Sequence, residues 1–312
     1  EIRNCDWSSD VCSSDLNYDN KIFYAETCHS KPFKDIIEIL NGVVHEVTMV
    51  VKKKKEKKDD EEDEEFYGLE IATSNDSKSI FIKLQFKGKQ FNKFYTKYDK
   101  EEVGINLEHL NIHIKPIEPS SILSLYINEK DRQTIRIEGS NEKEESLTVS
   151  NFKRMELEYK EKKPRVIPFD VSITMKSSLF NKICKEMNNI SDYVEIKCLK
   201  NKFIFSCKGD CGTKEKIYTE KEGGISIDWD DNIKCKITQG IYELKNIILF
   251  NKCAPLSNQI LILMKNDDIL SIKYVVADLA DLVIALSPVD EKKISQDYDF
   301  SDYEDDILMK SD

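Results

Sequence analysis

The sequence predicts an α+β protein of two similar domains, each pairing antiparallel sheet with two helices. An apolar stripe at i, i+3, i+4 and i+7, typical of an amphipathic helix, begins at Phe33 and again at Phe180. A second type of helix begins at Leu107 and again at Leu244, and short apolar/polar alternations lie between the helices. With 312 residues, 40% of them hydrophobic, the chain can bury the cores of two such domains.

The two copies differ in length by one insertion. Leu107 follows Phe33 by 74 residues, whereas Leu244 follows Phe180 by 64 residues. The charged run Lys52–Glu65 accounts for the difference as a loop insertion. A period this long indicates two duplicated domains rather than a solenoid.

Half-buried antiparallel strands are predicted where apolar and polar residues alternate over short segments. These segments are His45–Val51, Ile80–Phe86, Leu123–Ile127, Ile135–Glu138, Val194–Leu199, Phe203–Cys207, Ile260–Met264 and Ile269–Val276.

Composition marks the expected boundaries of the domains. Residues 1–16 contain a stretch that resembles the in-frame translation of a sequencing-library adapter, and we exclude them from the fold. We expect domain 1 over 17–149, an extended interdomain connector over 150–170 and domain 2 over 171–290. Residues 291–312 form an acidic segment of the composition typical of disorder.

Several patterns that could indicate an enzyme are incomplete. His109 and His113 lie four residues apart, but no HExxH motif or third ligand accompanies them. Three aspartates at 228, 230 and 231 could hold a divalent metal as in a nuclease, although their neighbours favour a solvated strand end or turn. No CxxC pair, phosphate loop or nucleophile motif is present. We therefore expect no catalytic residues, no metal and no cofactor.

The net charge of −11 does not by itself exclude a nucleic-acid partner, because charge distribution matters more than the sum. Lysines recur on the polar faces of the predicted helices, and two of them, Lys115 and Lys252, occupy the same position in both copies. A solvated lysine-rich face explains this pattern as well as a shared basic surface does, but repetition in both halves favours the basic surface. No apolar run is long enough to cross a membrane.

Five segments carry a resemblance to a known family. They are Ile173–Ile190, Val194–Cys198, Phe203–Gly209, Tyr242–Ser257 and Ile272–Pro288. In these segments the sequence resembles eukaryotic and viral sliding clamps of the proliferating cell nuclear antigen (PCNA) family, and the similarity extends from about Phe23 to Val289. The resemblance implies a clamp fold in which three two-domain subunits form a six-domain ring, with helices inside and sheets outside.

The resemblance also implies the partners and the site residues. Expected partners are double-stranded DNA without sequence specificity, a clamp loader, DNA polymerase and other proteins that carry short clamp-binding peptides, in the nucleus or a viral replication compartment. The implied DNA-binding residues are Lys34, Lys115, Lys182, Lys185, Lys245 and Lys252. The implied partner groove contains Met155, Leu157, Val166, Ile167, Pro168, Ile269, Ala285, Leu286, Ser287 and Pro288. The implied subunit interface contains Leu147, Val149, Phe152, Lys216, Ile217 and Tyr218.

Two other functions compete with a homotrimeric replication clamp. One is a subunit of a heterotrimeric, checkpoint-type clamp, and the other is a metal-dependent DNA-processing hydrolase that uses the three aspartates.

Overall fold

A computed structural model describes residues 18, 20–55, 66–141, 145–158, 167–220 and 224–289. The predicted adapter segment, most of the Lys52–Glu65 insertion, the middle of the connector with Val166, and the acidic segment 291–312 lie outside these ranges.

The chain contains two successive series of elements in the same order. The first series is β1 (Lys21–Thr27), α1 (Ser30–Asn41), β2 (Glu46–Lys52), β3 (Gly68–Ser74), β4 (Ile80–Lys87), β5 (Lys93–Thr96), β6 (Lys100–Asn106), α2 (Leu107–Ile114), β7 (Ile122–Asn128), β8 (Asp131–Asn141) and β9 (Ser146–Lys153). The second series is β10 (Val171–Lys176), α3 (Ser177–Asn188), β11 (Tyr193–Leu199), β12 (Lys202–Gly209), β13 (Gly212–Thr219), β14 (Ser226–Trp229), β15 (Ile237–Glu243), α4 (Leu244–Ile248), a 3-10 helix (Leu249–Leu256), β16 (Gln259–Met264), β17 (Leu270–Val276) and β18 (Ala280–Leu286). A short 3-10 turn, Gly88–Gln90, precedes β5.

Strand pairing repeats as faithfully as strand order. The first half forms the ladders β5-β1-β7-β8-β9 and β6-β2-β3-β4, and the second half forms β14-β10-β16-β17-β18 and β15-β11-β12-β13. Every strand therefore has a counterpart with the same neighbours. The duplication that the helix spacing predicted is confirmed as a repeat of topology.

One strand pair joins the halves. β18 of the second half pairs antiparallel with β4 of the first, which makes a nine-stranded sheet. Asp281 on β18 bridges Lys87 on β4 at 2.7 Å and Lys273 on β17 at 3.0 Å. Partial burial raises the pKa of Asp281, but hydrogen bonds from the two lysines outweigh burial and leave that pKa below its ordinary value.

The helices form one layer in the order α2, α1, the α4 and 3-10 segment, α3. Their apolar stripes are buried, as the periodicity predicted, with Phe33 and Phe180 at 3% and 1% exposure. Ser30 opens α1 and donates to the carbonyl oxygen of Pro119 at 2.9 Å. Its counterpart Ser177 opens α3 and donates to that of Ala254 at 3.0 Å. These bonds attach the first helix of each half to the segment that follows its second helix.

The sequence misjudged two local features. The last helix ends after five residues and continues as the 3-10 helix Leu249–Leu256, which contains Pro255; proline cannot donate the backbone hydrogen bond that an α-helix needs. The run Ile272–Pro288, in which only the part up to Val276 was predicted as a strand, contributes to two strands, β17 and β18. Ala277 and Asp278 make the hairpin turn with φ of 46° and 58°, a conformation that Gly or Asn usually signals.

Candidate nucleic-acid interface and subunit edges

Two of the predicted DNA-binding lysines lie on α3 with their side chains in solvent. Lys182 and Lys185 are exposed on the face opposite the buried stripe of that helix. Lys115, which follows α2, is exposed as well. None of the ion pairs formed within the described ranges involves these three lysines. Their ammonium groups can therefore meet phosphates without first breaking a salt bridge.

Lys34 has a different environment from the one expected. Its ammonium group donates to the carbonyl oxygens of Lys115, at 2.8 Å, and of Ile117. The lysine therefore satisfies carbonyls at the C-terminal end of α2, where the helix dipole favours a positive charge. Burial lowers the pKa of Lys34. Two of its three donors are in use, so Lys34 has fewer donors left for a phosphate than Lys182, and its role in DNA binding stays a prediction.

Lys252 and Lys245 are paired with carboxylates. Lys252, on the 3-10 helix, bonds to Glu38 of α1 at 2.8 Å and so connects the two halves. Lys245 lies 3.1 Å from Glu243. Hydrogen bonding from Lys252 lowers the pKa of Glu38. Both pairs are more than half exposed at the lysine, so water and salt screen them, but each leaves its lysine less available to phosphate than Lys182.

The residues with metal-binding patterns have structural roles. His113 stacks on Phe152, with ring centroids 5.4 Å apart. Asp230 accepts hydrogen bonds from the backbone and side-chain nitrogens of Asn232, both at 2.8 Å, in a turn after β14. Over the part of the chain that the structure describes, no group of three His, Cys, Asp or Glu side chains is placed to hold a metal.

Among the strands that the structure describes, β9 and β13 lie at the edges of their sheets, and the predicted interface residues divide between the two faces of these strands. Leu147, Val149 and Ile217 point to solvent, with 65%, 50% and 49% of their surface exposed. The other three point toward the helices: Phe152 is buried, Lys216 bonds to Glu186 of α3 at 2.6 Å, and Tyr218 packs edge-on to Phe205. Exposed apolar residues on an unpaired edge are typical of a strand that pairs with another chain.

Glu186 links α3 to the edge strand β13 through Lys214 at 2.8 Å and Lys216 at 2.6 Å. These hydrogen bonds lower the pKa of Glu186 to about 2. Because the folded-state pKa is depressed, the stabilising contribution is complete above the ordinary glutamate pKa and is lost as pH falls through about 2.

We expect carboxyl carbon NMR titration to show this depressed pKa of Glu186, and Lys216→Gln to move it upward. An unchanged value in that variant would contradict the assigned cause.

The first part of the predicted partner groove lies beside β6. Backbone N–H of Met155 donates to the carbonyl oxygen of Gly104 at 2.9 Å. A Cβ on Gly104 would lie 2.2 Å from the Met155 carbonyl oxygen, so this approach requires glycine. Met155 and Leu157 line a cavity of about 570 Å³ whose other walls are largely charged. Those walls include Lys100, Glu101, Glu102, Arg154, Glu156 and Glu158.

The other predicted groove residues lie elsewhere on the same sheet. Ile269, Ala285 and Pro288 are half-buried, and Ser287 is exposed at the end of β18. Leu286 is only 1% exposed, so its side chain belongs to the core, which corrects its assignment to the groove. β18 is four strand positions from β6, a separation of about 19 Å at ordinary strand spacing. Ile167 is half-buried and Pro168 exposed, at the end of the connector.

Two residues of this surface gave no recognisable signal in the sequence. Arg154 holds the start of the connector through Glu101 at 3.3 Å and the Glu102 carbonyl oxygen at 3.0 Å. Glu38 neutralises Lys252 from 214 positions away. Only the tertiary structure brings either pair together.

The family model of the proliferating cell nuclear antigen C-terminal domain matches residues 165–289. The predicted resemblance to the PCNA family is confirmed over this second half of the chain. The part of the chain that this PCNA model covers contains α3, α4 and the edge strand β13. A crystal structure of PCNA from Entamoeba histolytica superposes with a TM-score of 0.73 at 20% identity, covering 86% of this chain and all of that one.

Two viral proteins are similar to this chain over most of its sequence. A probable DNA polymerase sliding clamp of Acanthamoeba polyphaga mimivirus is 25% identical over 87% of this chain, which spans 63% of that relative's length. A probable DNA polymerase sliding clamp of Paramecium bursaria Chlorella virus 1 is 23% identical over 88% of this chain and 99% of its own length.

Proposed function

We propose that three copies of this chain close into a ring that encircles duplex DNA and tethers DNA polymerase, without chemistry of its own. The repeat of topology carries the proposal. β4 and β18 join the two halves, whereas their counterparts β13 and β9 pair on one side only within the described part of the chain. The pairing that joins halves within a chain can therefore be repeated between chains, head to tail. A head-to-tail contact whose rotation closes produces a ring.

Corresponding hydrogen bonds fix the expected register of this pairing. The bond from Met155 N–H to Gly104 O in the first half matches that from Val289 N–H to Ile241 O in the second. Adding 134 to a residue number in β9 therefore gives the corresponding residue of β18. The same comparison of registers, made along β2, β3 and β4 and along β11, β12 and β13, gives a difference of 132 between corresponding residues of β4 and β13.

The shifts place two exposed apolar residues opposite each other. Asp281 of β18 lies opposite Gln85 of β4. Subtracting 134 from 281 gives Leu147, and adding 132 to 85 gives Ile217. Leu147 of one copy is thus expected to face Ile217 of the next, which would bury both. The match of two independently exposed side chains supports the ring.

The proposed partners, DNA and DNA polymerase, rest on the lysines of the helix layer and on the names of the relatives. The helix layer carries the unpaired lysines 115, 182 and 185, and phosphate contacts from such lysines do not depend on sequence. The relatives named as DNA polymerase sliding clamps support the tethering role. We propose that polymerase, and other proteins with short clamp-binding peptides, bind along the surface from Met155 to Pro288, that a loader opens the ring, and that the protein acts where DNA is replicated.

Disulfide formation tests the ring and its register. The variant Leu147→Cys/Ile217→Cys is made in a background whose other exposed cysteines, and those of residues 1–16, are serine. Directly opposed Cβ atoms lie about 5 Å apart, close to disulfide spacing, whereas diagonal ones lie about 7 Å apart. Mild oxidation should give a covalent closed trimer.

The matched control is Leu147→Cys/Glu215→Cys, because Glu215 lies on the same face of β13 two residues away. It should remain uncrosslinked. Monomers that never crosslink at any concentration would reject the self-closing ring and favour the heterotrimeric clamp, whose edges pair with different chains. Stimulation of polymerase by the oxidised trimer threaded on circular DNA, and none from the oxidised monomer fraction, would complete the assignment.

A further inference from the structure

Two kinds of junction alternate around the proposed ring, and their charges differ. Within a chain, α1 packs against the 3-10 helix Leu249–Leu256, and Glu38 bonds to Lys252 across this contact at 2.8 Å. The opposite charges make the intrachain junction neutral. The corresponding junction between chains places α3 of one copy against α2 of the next.

Correspondence of the helices identifies the residues at the junction between chains. α1 and α3 begin at Ser30 and Ser177, a shift of 147, so Glu38 corresponds to Lys185. α2 and α4 begin with equivalent bonds, Leu107 N–H to the His45 carbonyl and Leu244 N–H to the Asp192 carbonyl. Their shift of 137 makes Lys115 the counterpart of Lys252. A lysine therefore stands at both positions where the intrachain junction has a glutamate and a lysine.

Three carboxylates near these lysines have other partners. Glu38, whose pKa Lys115 also lowers, is bonded to Lys252. Glu186, next to Lys185, is held by Lys214 and Lys216 of its own β13. Glu118, which follows Lys115 in the chain, accepts a hydrogen bond from Asn141 at 3.1 Å. Two exposed ammonium groups without a carboxylate between them repel each other and form a site for an anion.

We propose that each junction between copies is a phosphate-binding site built from Lys115 and from Lys185 of the partner subunit. This inference rests on the proposed ring. A phosphate of the enclosed DNA, bound by both lysines, replaces the missing carboxylate and stabilises the junction. Without an anion, repulsion weakens the three contacts between chains relative to the three within chains, so the ring is weakest where subunits meet.

Charge reversal of the full chain tests the proposal in chloride without DNA, by measuring the trimer dissociation constant on dilution. Lys185→Glu recreates the intrachain arrangement, and Lys115→Glu recreates it reversed; each should tighten every junction about fivefold. The double variant Lys115→Glu/Lys185→Glu places two carboxylates at each junction, which repel each other, so its trimer should be no tighter than that of the unaltered chain. Lys182→Glu is the control. The residue of α1 that corresponds to Lys182 is Asp35, which bonds to Lys31 of its own helix and not across the junction, so this variant should leave the trimer dissociation constant unchanged.

Inorganic phosphate replacing chloride at equal ionic strength is the second probe. It should tighten the unaltered trimer and leave Lys185→Glu unaffected, and short duplex DNA should act in the same direction. If neither single charge reversal nor phosphate changes the trimer dissociation constant, this inference is overturned, whereas the proposed ring is not. Failure of the unaltered chain to form a trimer would overturn the proposed function and this inference together.

Discussion

Ile217→Lys is expected to leave the chain folded but monomeric. Ile217 is half exposed on the edge strand β13, so its replacement disturbs no core packing. In the ring it would be buried against Leu147, and losing that burial costs about 2 kcal/mol, or roughly thirtyfold in the dissociation constant of each contact. The ammonium group adds a desolvation penalty. Light scattering at several concentrations gives the mass, and circular dichroism checks the fold.

Val275→Lys is the matched control for the edge variant. Val275 is 41% exposed on β17, which has β16 and β18 on either side and no free edge. The same substitution there should keep the trimer. If Ile217→Lys remains trimeric at the lowest measurable concentration, β13 is not the edge that joins subunits.

Lys182→Glu/Lys185→Glu is expected to abolish most clamp-dependent DNA synthesis while the trimer persists. Six positive charges per ring become negative on the helices that would face DNA. Each phosphate contact contributes about 0.9 to the slope of log affinity against log salt, so DNA retention should weaken and lose salt dependence. The measurement is processive synthesis on a primed circle with a cognate polymerase, at several salt concentrations.

Lys200→Glu/Lys236→Glu controls for net charge. These lysines lie in adjacent loops at the end of β11 away from α3, where the backbone N–H of Lys200 bonds to the Lys236 carbonyl oxygen. The change in charge is identical, and synthesis should continue. Equal losses in both double variants would show that total charge, not the α3 face, governs activity. Lys252 is left unchanged because its pair with Glu38 would complicate the result.

Helix periodicity and the repeat were readable from sequence because both depend on local chemistry. The apolar stripe that starts at Phe180 must be buried wherever the helix packs, and its spacing can be recognised without knowing which elements pack against it. Strands buried on both faces were harder. β1 shows no clean alternation, since four consecutive residues from Ile22 to Ala25 are buried, and it was not predicted.

The candidate site was predictable as residue types and not as pairings. Lysines on α3 could be proposed from position on the helix, and the exposed edge residues from resemblance. That Lys34 satisfies the carbonyls after α2, and that Leu286 is in the core, depends on elements 81 or more residues apart in the chain. Sequence periodicity carries no information about such distant contacts.

By itself the sequence determined the α+β class, the two-fold repeat and the family resemblance, because helix stripes, strand alternation and segment spacing are local or additive properties. Only the tertiary structure decided which lysines are free, which strands are edges and where the halves join. Those facts depend on which groups meet across the β4–β18 and α1–Leu249 contacts, and a salt bridge such as Glu38–Lys252 exists only once both partners are brought together.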